Sequence, residues 1–350
     1  MIGNFLSGSV GVRCVCEDLA EGLRSRGWRV LAASSAKNRG FRLLHMLATT
    51  WLERSRYGVA QIDLYADLAF LYAEVVAHSL RLLRCPFILT LHGGALSELA
   101  QTSPRRVKRL LGSAAVVTAP SAHHQEGLGR FRSDIRVVRN GIDLRLYEPR
   151  ALAAARPRLV WLRAFHKTYN PRLAVEAAGL LSAHFPEVQL LMVGPDKGDG
   201  AYEETVKAIG ALGLGDHVRL MGAVPKTDVP RLLSQGDIFL NTTDVDNAPV
   251  TVVEALACGL CVVSTNVGGI PRLLTAGQDG LLVPPRDPAA MAAAVKAILM
   301  DPALAARLST NARVTAQAFA REGVLDSWEQ ILLEASGRAT IATRRDTRRS

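Results

Sequence analysis

The 350-residue sequence has no long hydrophobic run and few aromatic residues. Its most hydrophobic stretch, residues 64–83, is interrupted by Asp67, Glu74, His78 and Arg81. It therefore falls short of the roughly 18–20 apolar residues that cross a bilayer. The amino terminus has neither the basic segment nor the apolar segment of a signal peptide. These absences predict a cytoplasmic protein. At about 100–200 residues per domain, the length predicts two domains.

The five cysteines are an odd number and give no disulfide framework. Cys258 and Cys261 form a CGLC motif of the kind that also occurs in redox and zinc sites. A structural zinc site needs four ligands, and the sequence has no second CxxC or paired-histidine motif to complete one. We therefore expect reduced thiols where a helix turns into a buried strand.

The excess of positive over negative charge lies almost entirely in residues 1–150. Residues 1–150 contain 21 of the 42 Lys and Arg residues but only 12 of the 32 Asp and Glu residues. Such a charge bears on partners rather than on fold, and it fits an anionic membrane surface or an anionic substrate. Nucleic acid is not expected, because zinc-finger spacing, RNP-type motifs and stacking aromatics are missing from the sequence.

The segment Arg39–Arg56, RGFRLLHMLATTWLERSR, mixes basic and apolar residues at helical spacing. This pattern fits a helix that lies in a membrane interface. It also fits an ordinary surface helix whose apolar stripe packs on the core, and we favour this second interpretation. Two further expectations concern histidines. The side chain of His45 packs against its own helix, and His123 and His124 face the solvent.

Short apolar runs rich in β-branched residues alternate with amphipathic helical stretches along the whole chain. This alternation predicts α/β architecture, with two doubly wound, Rossmann-like domains that face each other across a cleft. The predicted segments are an N-terminal domain over 1–152, a second domain over 153–320, a helix over 321–336 that returns to the first domain, and a basic disordered tail over 337–350. Because parallel sheets bind ligands at the carboxyl ends of their strands, we expect the site there.

The beginning of the chain is unusual for a domain of this kind, which normally opens with a buried strand before its first glycine turn. Only MIGNF precedes the turn at residues 7–11. Either the first strand is very short or the natural protein begins upstream, and we favour the second interpretation.

Residues 239–271 contain the densest group of candidate functional residues. A strand is followed by a polar loop that contains Asp246, and then by a helix that begins near Pro249 and contains Glu254. The amino terminus of a helix binds phosphate through unpaired N–H groups and the positive end of its dipole. A carboxylate one turn further along the helix accepts hydrogen bonds from a ribose diol, and the loop carboxylate reaches a sugar hydroxyl. The spacing therefore predicts a nucleotide-sugar site.

The residues Asp244-Val245-Asp246 also form a DxD sequence, which binds a divalent cation in some sugar transferases. Three-residue matches are common by chance, and this one lies inside a longer motif that explains it better. We therefore do not interpret this DxD sequence as a metal site, and no cofactor is expected.

The segments DNAPVTVVE, ALACGLCVV and NVGGIP resemble the Glu-x7-Glu signature and the following glycine turn of the family 4 glycosyltransferases. SVGVRCVCEDLAEGLRSRGWRV, TLHGG, APS, NGID, MVGPDKG and DGLLVPPRDP match further family motifs in the same order. The resemblance covers about residues 3–336. It implies the GT-B fold, a nucleotide-sugar donor, retention of anomeric configuration and independence of metal, and it leaves the acceptor open.

The resemblance implies a role for each matching residue. Glu254 binds the donor ribose, and Asp246 lies at the hydroxyls of the transferred sugar. Arg163 and Lys167 stabilise the leaving diphosphate, and His92 contacts the donor sugar or the reaction centre. The other implied donor-binding residues are Gly11, Gly93, Gly194, Asn247, Ala248 and Val250.

Three departures from the family pattern affect these assignments. The spacing in LRAFHKTYNP differs from the usual arrangement around Lys167. Asp246 is one methylene shorter than the usual Glu. Pro249 removes one backbone donor, so the N–H groups of Ala248 and Val250 would have to hold the phosphate.

The resemblance thus implies a retaining hexosyltransferase that uses a UDP- or GDP-sugar. The expected acceptor is a glycan, a glycolipid or a lipid-linked molecule, in bacterial polysaccharide or glycolipid assembly at the inner face of the cytoplasmic membrane. Two alternatives stay open, a nucleotide-sugar 2-epimerase and a non-catalytic homologue; a basic nucleic-acid-binding module is a third and weaker one, because its motifs are missing.

Overall fold

The computed structural model describes residues 1–3, 5, 14–33, 38–66, 68–93 and 96–337. The chain forms two compact units, one made of residues 1–141 with the stretch from Arg321 onward, the other of Ile142–Ala320. The division therefore falls after residue 141 rather than at the predicted 152/153 boundary. The reason is that residues 142–152 pack with the second unit: the Ile142 N–H donates to the Phe319 carbonyl (2.9 Å), and Leu152 lies in that unit's core.

The first unit contains a parallel four-stranded sheet in the order β1–β2–β3–β4. Every residue of its first three strands is buried, as expected for a parallel sheet covered on both faces. The elements are α1 (Val15–Ser25), α2 (Arg39–Leu52), β1 (Ala60–Leu64), α3 (Leu68–Leu82), β2 (Phe87–Leu91), α4 (Leu96–Thr102), α5 (Pro104–Ser113), β3 (Val116–Ala119), α6 (Ala122–Leu128) and β4 (Arg136–Val137).

The edge of this sheet beside β1 is built differently from the prediction. The pattern at residues 28–33 predicts a strand, but the described residues there form only an isolated bridge from Ala33 to Ile2. Ile2 also bridges to Ile62 of β1, and its N–H donates to the Gln61 carbonyl (2.8 Å). The described residues at the chain start thus extend the sheet by single bridges rather than by a full strand.

The second unit contains a parallel six-stranded sheet in the order β10–β9–β8–β5–β6–β7. Its two hydrophobic clusters include the strand residues Trp161 and Phe239, which are almost fully buried. The elements are β5 (Arg158–Leu162), α7 (Pro171–Ser182), β6 (Gln189–Val193), α8 (Ala201–Ala211), β7 (Val218–Leu220), α9 (Val229–Leu233), β8 (Ile238–Asn241), α10 (Val250–Ala257), β9 (Cys261–Thr265), α11 (Ile270–Leu273), β10 (Gly280–Val283), α12 (Pro288–Met300) and α13 (Pro302–Gln317).

The last helix, α14 (Arg321–Ala335), belongs to the first unit. Its apolar residues Leu325 and Trp328 join a cluster with Ile88 of β2. At its solvent side, Arg26 donates to Glu329 (2.7 Å), which also accepts from the Trp28 indole (2.7 Å). Apolar packing and this polar contact together hold α14 against the first unit.

All five cysteines lie in the described residues, and none of them forms a disulfide. Burial raises the pKa of both Cys258 and Cys261 to about 12, so these thiols stay protonated near neutral pH. Among the described helices, no single one is long and apolar enough to cross a membrane. Helices α12 and α13, bent by 102° where they meet, pass such a test only as a pair, by length and composition alone.

A buried carboxylate fixes the segment of the second unit that leads into β5. Asp237 accepts hydrogen bonds from the side chain of Arg150 (2.5 Å) and from both the Nε (3.0 Å) and the backbone N–H (2.8 Å) of Arg156. Burial by itself would raise the pKa of Asp237, but the hydrogen bonds from Arg156 and the charge of Arg150 outweigh it and hold the pKa below its usual value. Residues 150–156 are thereby tied to the start of β8.

We expect Asp237→Asn to lower the free energy of unfolding by about 1–3 kcal/mol. The change removes the negative charge and one of the two acceptor oxygens that Arg150 and Arg156 share, although the partly exposed ends of both arginines still reach water. A carboxyl with a lowered pKa stabilises the fold above its unfolded-state pKa, near 3.9, and loses that effect as the pH falls through its folded-state pKa. Thermal unfolding at pH 7 and below pH 4 measures both effects. Exposed Asp216→Asn in the same unit is the control, and equal losses in the two variants would contradict the prediction.

Candidate active site

The second sheet reverses its strand order between β5 and β8. In doubly wound sheets the ligand crevice forms outside the carboxyl ends of the strands at such a point. Arg163 directly follows β5, and Asn241 ends β8 before the polar loop and α10. These neighbouring strands bring six of the predicted residues to one edge of the sheet: Arg163, Asp246, Asn247, Ala248, Val250 and Glu254.

Arg163 is the cation of this group. Its guanidinium forms an ion pair with the Asp246 carboxylate and lies over the ring of Tyr169, 4.3 Å from the ring centroid. The side chain is largely buried, and burial lowers the pKa of Arg163 from its ordinary value. Its Nε has no hydrogen-bond partner in the described part of the chain. Arg163 therefore keeps a buried donor for an anionic ligand.

The loop that contains Asp246 packs closely against the glycine pair of the NVGGIP motif. The Gly269 N–H donates to the Asp246 carbonyl (3.0 Å). A Cβ at Gly268 would lie 1.9 Å from that carbonyl oxygen, and one at Gly269 would lie 2.0 Å from the carbonyl oxygen of Asn247. The backbone at Gly268 also has a φ of +52°, which favours glycine. The motif is therefore a packing requirement of the loop that holds Asp246.

Glu254 is a fully buried carboxylate on α10. Its Oε1 accepts a hydrogen bond from the hydroxyl of Tyr147 (2.7 Å) and forms an ion pair with Lys226. Its Oε2 has no hydrogen-bond partner among the described residues. A buried carboxylate oxygen without a donor is costly, so a ligand hydroxyl at Oε2 would relieve that cost.

Helix α10 begins at Val250, with Pro249 as its N-cap residue. Proline has no side-chain acceptor, and α10, which lies wholly within the described residues, has no side-chain cap. The hydroxyl oxygen of Thr251 is buried in the first turn without a hydrogen-bond partner in the structure as described. The first turn of α10 therefore offers donors at the position where the sequence predicts a phosphate.

Buried polar atoms without partners are concentrated at this edge. In the described part of the second unit there are five such side-chain atoms, and each lies just after β5, at the end of β8, in the following loop or in α10. Native structures satisfy most buried polar groups, so such a concentration indicates a ligand site. The five atoms are Arg163 Nε, Asn241 Oδ1, Asp244 Oδ1, Thr251 Oγ1 and Glu254 Oε2.

Lys167 and Gly194 lie on the β5 and β6 side of this edge. Lys167 is exposed, and its ammonium lies 3.8 Å from Glu204 of α8 rather than beside Asp246 or Glu254. A Cβ at Gly194 would lie 1.7 Å from the Arg163 carbonyl oxygen, so glycine is needed there for the strand end to approach. Gly11, the remaining predicted donor-binding glycine, lies outside the described residues.

The two carboxylates of the DxD sequence are each paired with an arginine. Asp244 contacts Arg286 (2.9 Å), and Asp246 contacts Arg163. Over the described residues, no group of three or more His, Cys, Asp or Glu side chains is arranged to hold a metal ion. The loop carboxylates are thus organised around guanidinium groups.

In the first unit, His92 and Gly93 lie directly after β2. The His92 Nε2 is 3.0 Å from the Asp63 Oδ1, and the ring stacks on Tyr65 with centroids 5.0 Å apart. The Gly93 carbonyl lies 2.6 Å from the Nε2 of His124. The two predicted residues are therefore held in place by a second group of polar and aromatic side chains.

The expectation that His123 and His124 face the solvent is wrong for His124. Its side chain is fully buried, and burial lowers its pKa to about 4. A neutral ring whose Nε2 faces a carbonyl oxygen must donate from that nitrogen, because the carbonyl only accepts. His124 fixes the chain at Gly93, a tertiary contact that the local sequence does not indicate.

Two family models cover most of the chain. Residues 10–146 match the model described as Glycosyltransferase Family 4, and residues 148–315 match the one described as Glycosyl transferases group 1. The chain belongs to the family 4 glycosyltransferases. The expected family is therefore confirmed, and the glycine turn and the Glu254 helix lie within the group 1 region of this glycosyltransferase chain.

Relatives and solved structures agree with this assignment. The D-inositol 3-phosphate glycosyltransferase of Acidothermus cellulolyticus is 29% identical over 295 residues, or 74% of this chain and 64% of the relative. The chain spans about three fifths of the length of the first curated relatives that it matches.

Among solved structures, sucrose-phosphate synthase of Thermosynechococcus elongatus has a TM-score of 0.75 at 22% identity, covering 91% of this chain and 92% of that one. HepE of Anabaena in complex with UDP has a TM-score of 0.73 at 21% identity, covering 89% and 88%. At these identities the likeness shows the fold, and it confirms the expected GT-B class for the glycosyltransferase chain.

Three residues around these groups are missing from the sequence prediction: Tyr147, Lys226 and Asp63. Tyr147 precedes Glu254 by more than a hundred residues, and no local pattern connects them. Lys226 follows β7, and Asp63 lies near the end of β1. The rule that parallel strands present ligand-binding side chains at their carboxyl ends is the one signal that could have selected Lys226 and Asp63.

We expect Gly268→Ala to lower the melting temperature more than Gly213→Ala. Both positions have positive φ, at +52° and +65°, so each alanine incurs about 1–2 kcal/mol of backbone strain. Only at Gly268 does the new Cβ meet a carbonyl oxygen, whereas Gly213 faces open space. Thermal denaturation of the two variants isolates the contact, and equal shifts would show that the Asp246 loop does not depend on it.

Proposed function

We propose that this chain is a retaining hexosyltransferase that moves a sugar from a UDP- or GDP-sugar to a hydroxyl of a glycan, glycolipid or lipid-linked acceptor. The observation that carries the proposal is the set of unpartnered buried polar atoms at the point where the second sheet reverses. Family membership supports it, as do the HepE complexes, which contain UDP or UDP-glucose. No cofactor and no essential metal takes part.

Glu254 would hold the ribose of the donor. Its Oε1 is occupied by Tyr147 and Lys226, so the ribose diol donates to Oε2, the oxygen without a partner. The ion pair with Lys226 compensates the burial of the carboxylate, and a charge-assisted hydrogen bond from a ligand hydroxyl is stronger than a neutral one. This assignment uses the tyrosine and the lysine that the sequence prediction did not include.

Arg163 would stabilise the leaving diphosphate. Its Nε donor is buried and free of partners in the described structure, and the first turn of α10 adds backbone N–H groups. Fixed donors directed at developing charge are worth about 2.7–4 kcal/mol each when removed from comparable sites. The acceptor hydroxyl passes its proton to the departing phosphate on the same face of the sugar, which retains configuration without a strong base. Asp246 would lie at the sugar hydroxyls, and Lys167, whose ammonium faces Glu204, would supply the second cation.

The first unit would hold the acceptor and contact an anionic membrane surface at the inner face of the cytoplasmic membrane. The outer face of α2 exposes large apolar side chains at helical spacing: Phe41 (68% exposed), Leu44 (62%), Trp51 (48%) and Leu52 (81%). Its buried face contains Met46 and Thr50 instead. Arg42 lies on the same helix and Arg56 just after it, and such a combination is typical of helices in the membrane interface.

The donor test compares nucleotides by thermal shift and saturation-transfer NMR, using UDP, GDP, ADP and their glucose or mannose conjugates with and without EDTA. We expect either the uridine or the guanosine compounds to bind at micromolar strength, unaffected by EDTA. Glu254→Gln keeps the side chain's shape and removes its charge, so it should weaken binding at least about tenfold, the loss of about one charged hydrogen bond.

The control is Glu176→Gln, a surface carboxylate paired with Arg172 in the same unit, which should bind like the wild type. With the donor class known, NMR of the product formed on a lipid-linked acceptor gives its anomeric configuration. Inversion would contradict the proposed mechanism, and sugar conversion without any acceptor would favour the epimerase instead.

For the membrane contact, we expect the double variant Phe41→Ser with Leu44→Ser to bind vesicles of phosphatidylglycerol and phosphatidylcholine at least about tenfold more weakly. The reason is that binding then removes less apolar side-chain surface from water. Met300→Ser with Val314→Ser is matched in exposure, at 67% and 68%, and lies in the other unit. Co-sedimentation measures both. Equal binding by the two double variants, or binding that does not depend on the anionic lipid, would contradict a membrane role for α2.

A further inference from the structure

His92 is held by Asp63 in a way that defines which ring nitrogen has the hydrogen. The Nε2 lies 3.0 Å from Asp63 Oδ1, and a carboxylate oxygen only accepts. The Nε2 is therefore the donor. In a neutral imidazole the other nitrogen is then an acceptor, and the Nδ1 of His92 makes no hydrogen bond within the described residues.

The position of Asp63 is itself fixed by buried polar side chains. The Gln61 amide donates to the same Oδ1 (2.7 Å) and to the Thr90 hydroxyl (2.9 Å). The Thr90 hydroxyl also lies 3.1 Å from the Thr118 hydroxyl. Asp63, Gln61 and Thr90 are each more than nine-tenths buried. With Thr118, the network connects β1, β2 and β3.

The ring of His92 has little freedom to turn. The ring of Tyr65 stacks on it with an interplanar angle of 18°. The backbone N–H of His92 donates to the Leu64 carbonyl (2.8 Å). The next residue, Gly93, is held by His124. His92 and Asp63 both line a pocket of the first unit, together with Arg139 and Asn140. The acceptor nitrogen thus belongs to a rigid side chain at a pocket wall.

We propose that Asp63 is a positioning residue that keeps His92 in the Nε2–H form, so that Nδ1 accepts a hydrogen bond from a substrate hydroxyl. The inference rests on the proposed glycosyltransferase function, in which both donor and acceptor are polyhydroxylated. It involves a hydrogen bond and no proton transfer. A carboxylate is required because a carboxamide at position 63 could donate to Nε2, which would move the hydrogen to Nδ1 and remove the acceptor.

The test uses the full chain labelled with 15N at its eight histidines, and His92→Gln assigns the signal by its loss. Long-range 1H–15N spectra distinguish the two tautomers of the neutral ring. We expect Nε2–H in the wild type and a shift towards Nδ1–H in Asp63→Asn. The same variant should lower kcat at least about tenfold, because an Asp-to-Asn change beside a functional histidine leaves it in the wrong tautomer. Its nucleotide Kd should not change, because Glu254 and α10 belong to the other unit.

The control is Gln61→Met, which removes a supporting amide but leaves the carboxylate on Nε2. It should lower the melting temperature while keeping the wild-type tautomer. A hydrogen on Nδ1 in the wild type, or an unchanged tautomer or kcat in Asp63→Asn, would overturn the proposal. The tautomer is measured without substrate, so a wild-type protein with the expected tautomer but no transferase activity would contradict the proposed function separately.

Discussion

The fully buried carboxylate of Glu254 is the constraint around which the second unit is organised. A buried charge is tolerated only when hydrogen bonds and an opposite charge compensate its lost hydration. Here Tyr147, which precedes β5, and Lys226, which follows β7, supply that compensation. This contact also explains why residues 142–152 belong to the second unit. The compensation covers one carboxylate oxygen and leaves the other for a hydroxyl.

The same principle applies at the neighbouring groups. Asp246 is neutralised by Arg163 and Asp244 by Arg286, while each pair leaves a buried polar atom without a partner. Folding by itself would favour satisfied pairs or apolar replacements at these positions. Local departures from the rules of stability are expected at functional sites, where a ligand supplies the missing hydrogen bonds. The concentration of such atoms at one sheet edge is therefore more informative than any single residue.

The two units differ in the surfaces that they offer. The second unit collects buried charge at its sheet edge, whereas the first combines most of the chain's positive excess with the apolar outer face of α2. Exposed apolar patches of this kind often mark interaction sites, and the four large side chains on one face of α2 are the observation that supports the proposed membrane contact. In the same unit, the network around Asp63 and His92 is polar and buried. Each unit thus combines a parallel sheet with one group of polar side chains, around Glu254 in the second unit and around Asp63 and His92 in the first.

The sequence by itself determined the features that depend on neighbours along the chain. Alternating apolar runs and helices gave the two parallel α/β sheets, and the Asp246-to-Glu254 spacing gave the strand, loop and helix of the candidate site. The glycine pair at 268–269 was also visible as a motif, although only the structure shows that the Asp246 and Asn247 carbonyls require it.

Only the tertiary structure decided the contacts between distant segments. These include Tyr147 and Lys226 on Glu254, Asp63 on His92, and the burial of His124. They depend on which strands become neighbours, because parallel pairing brings together residues that are far apart in sequence, and no local spacing records that choice.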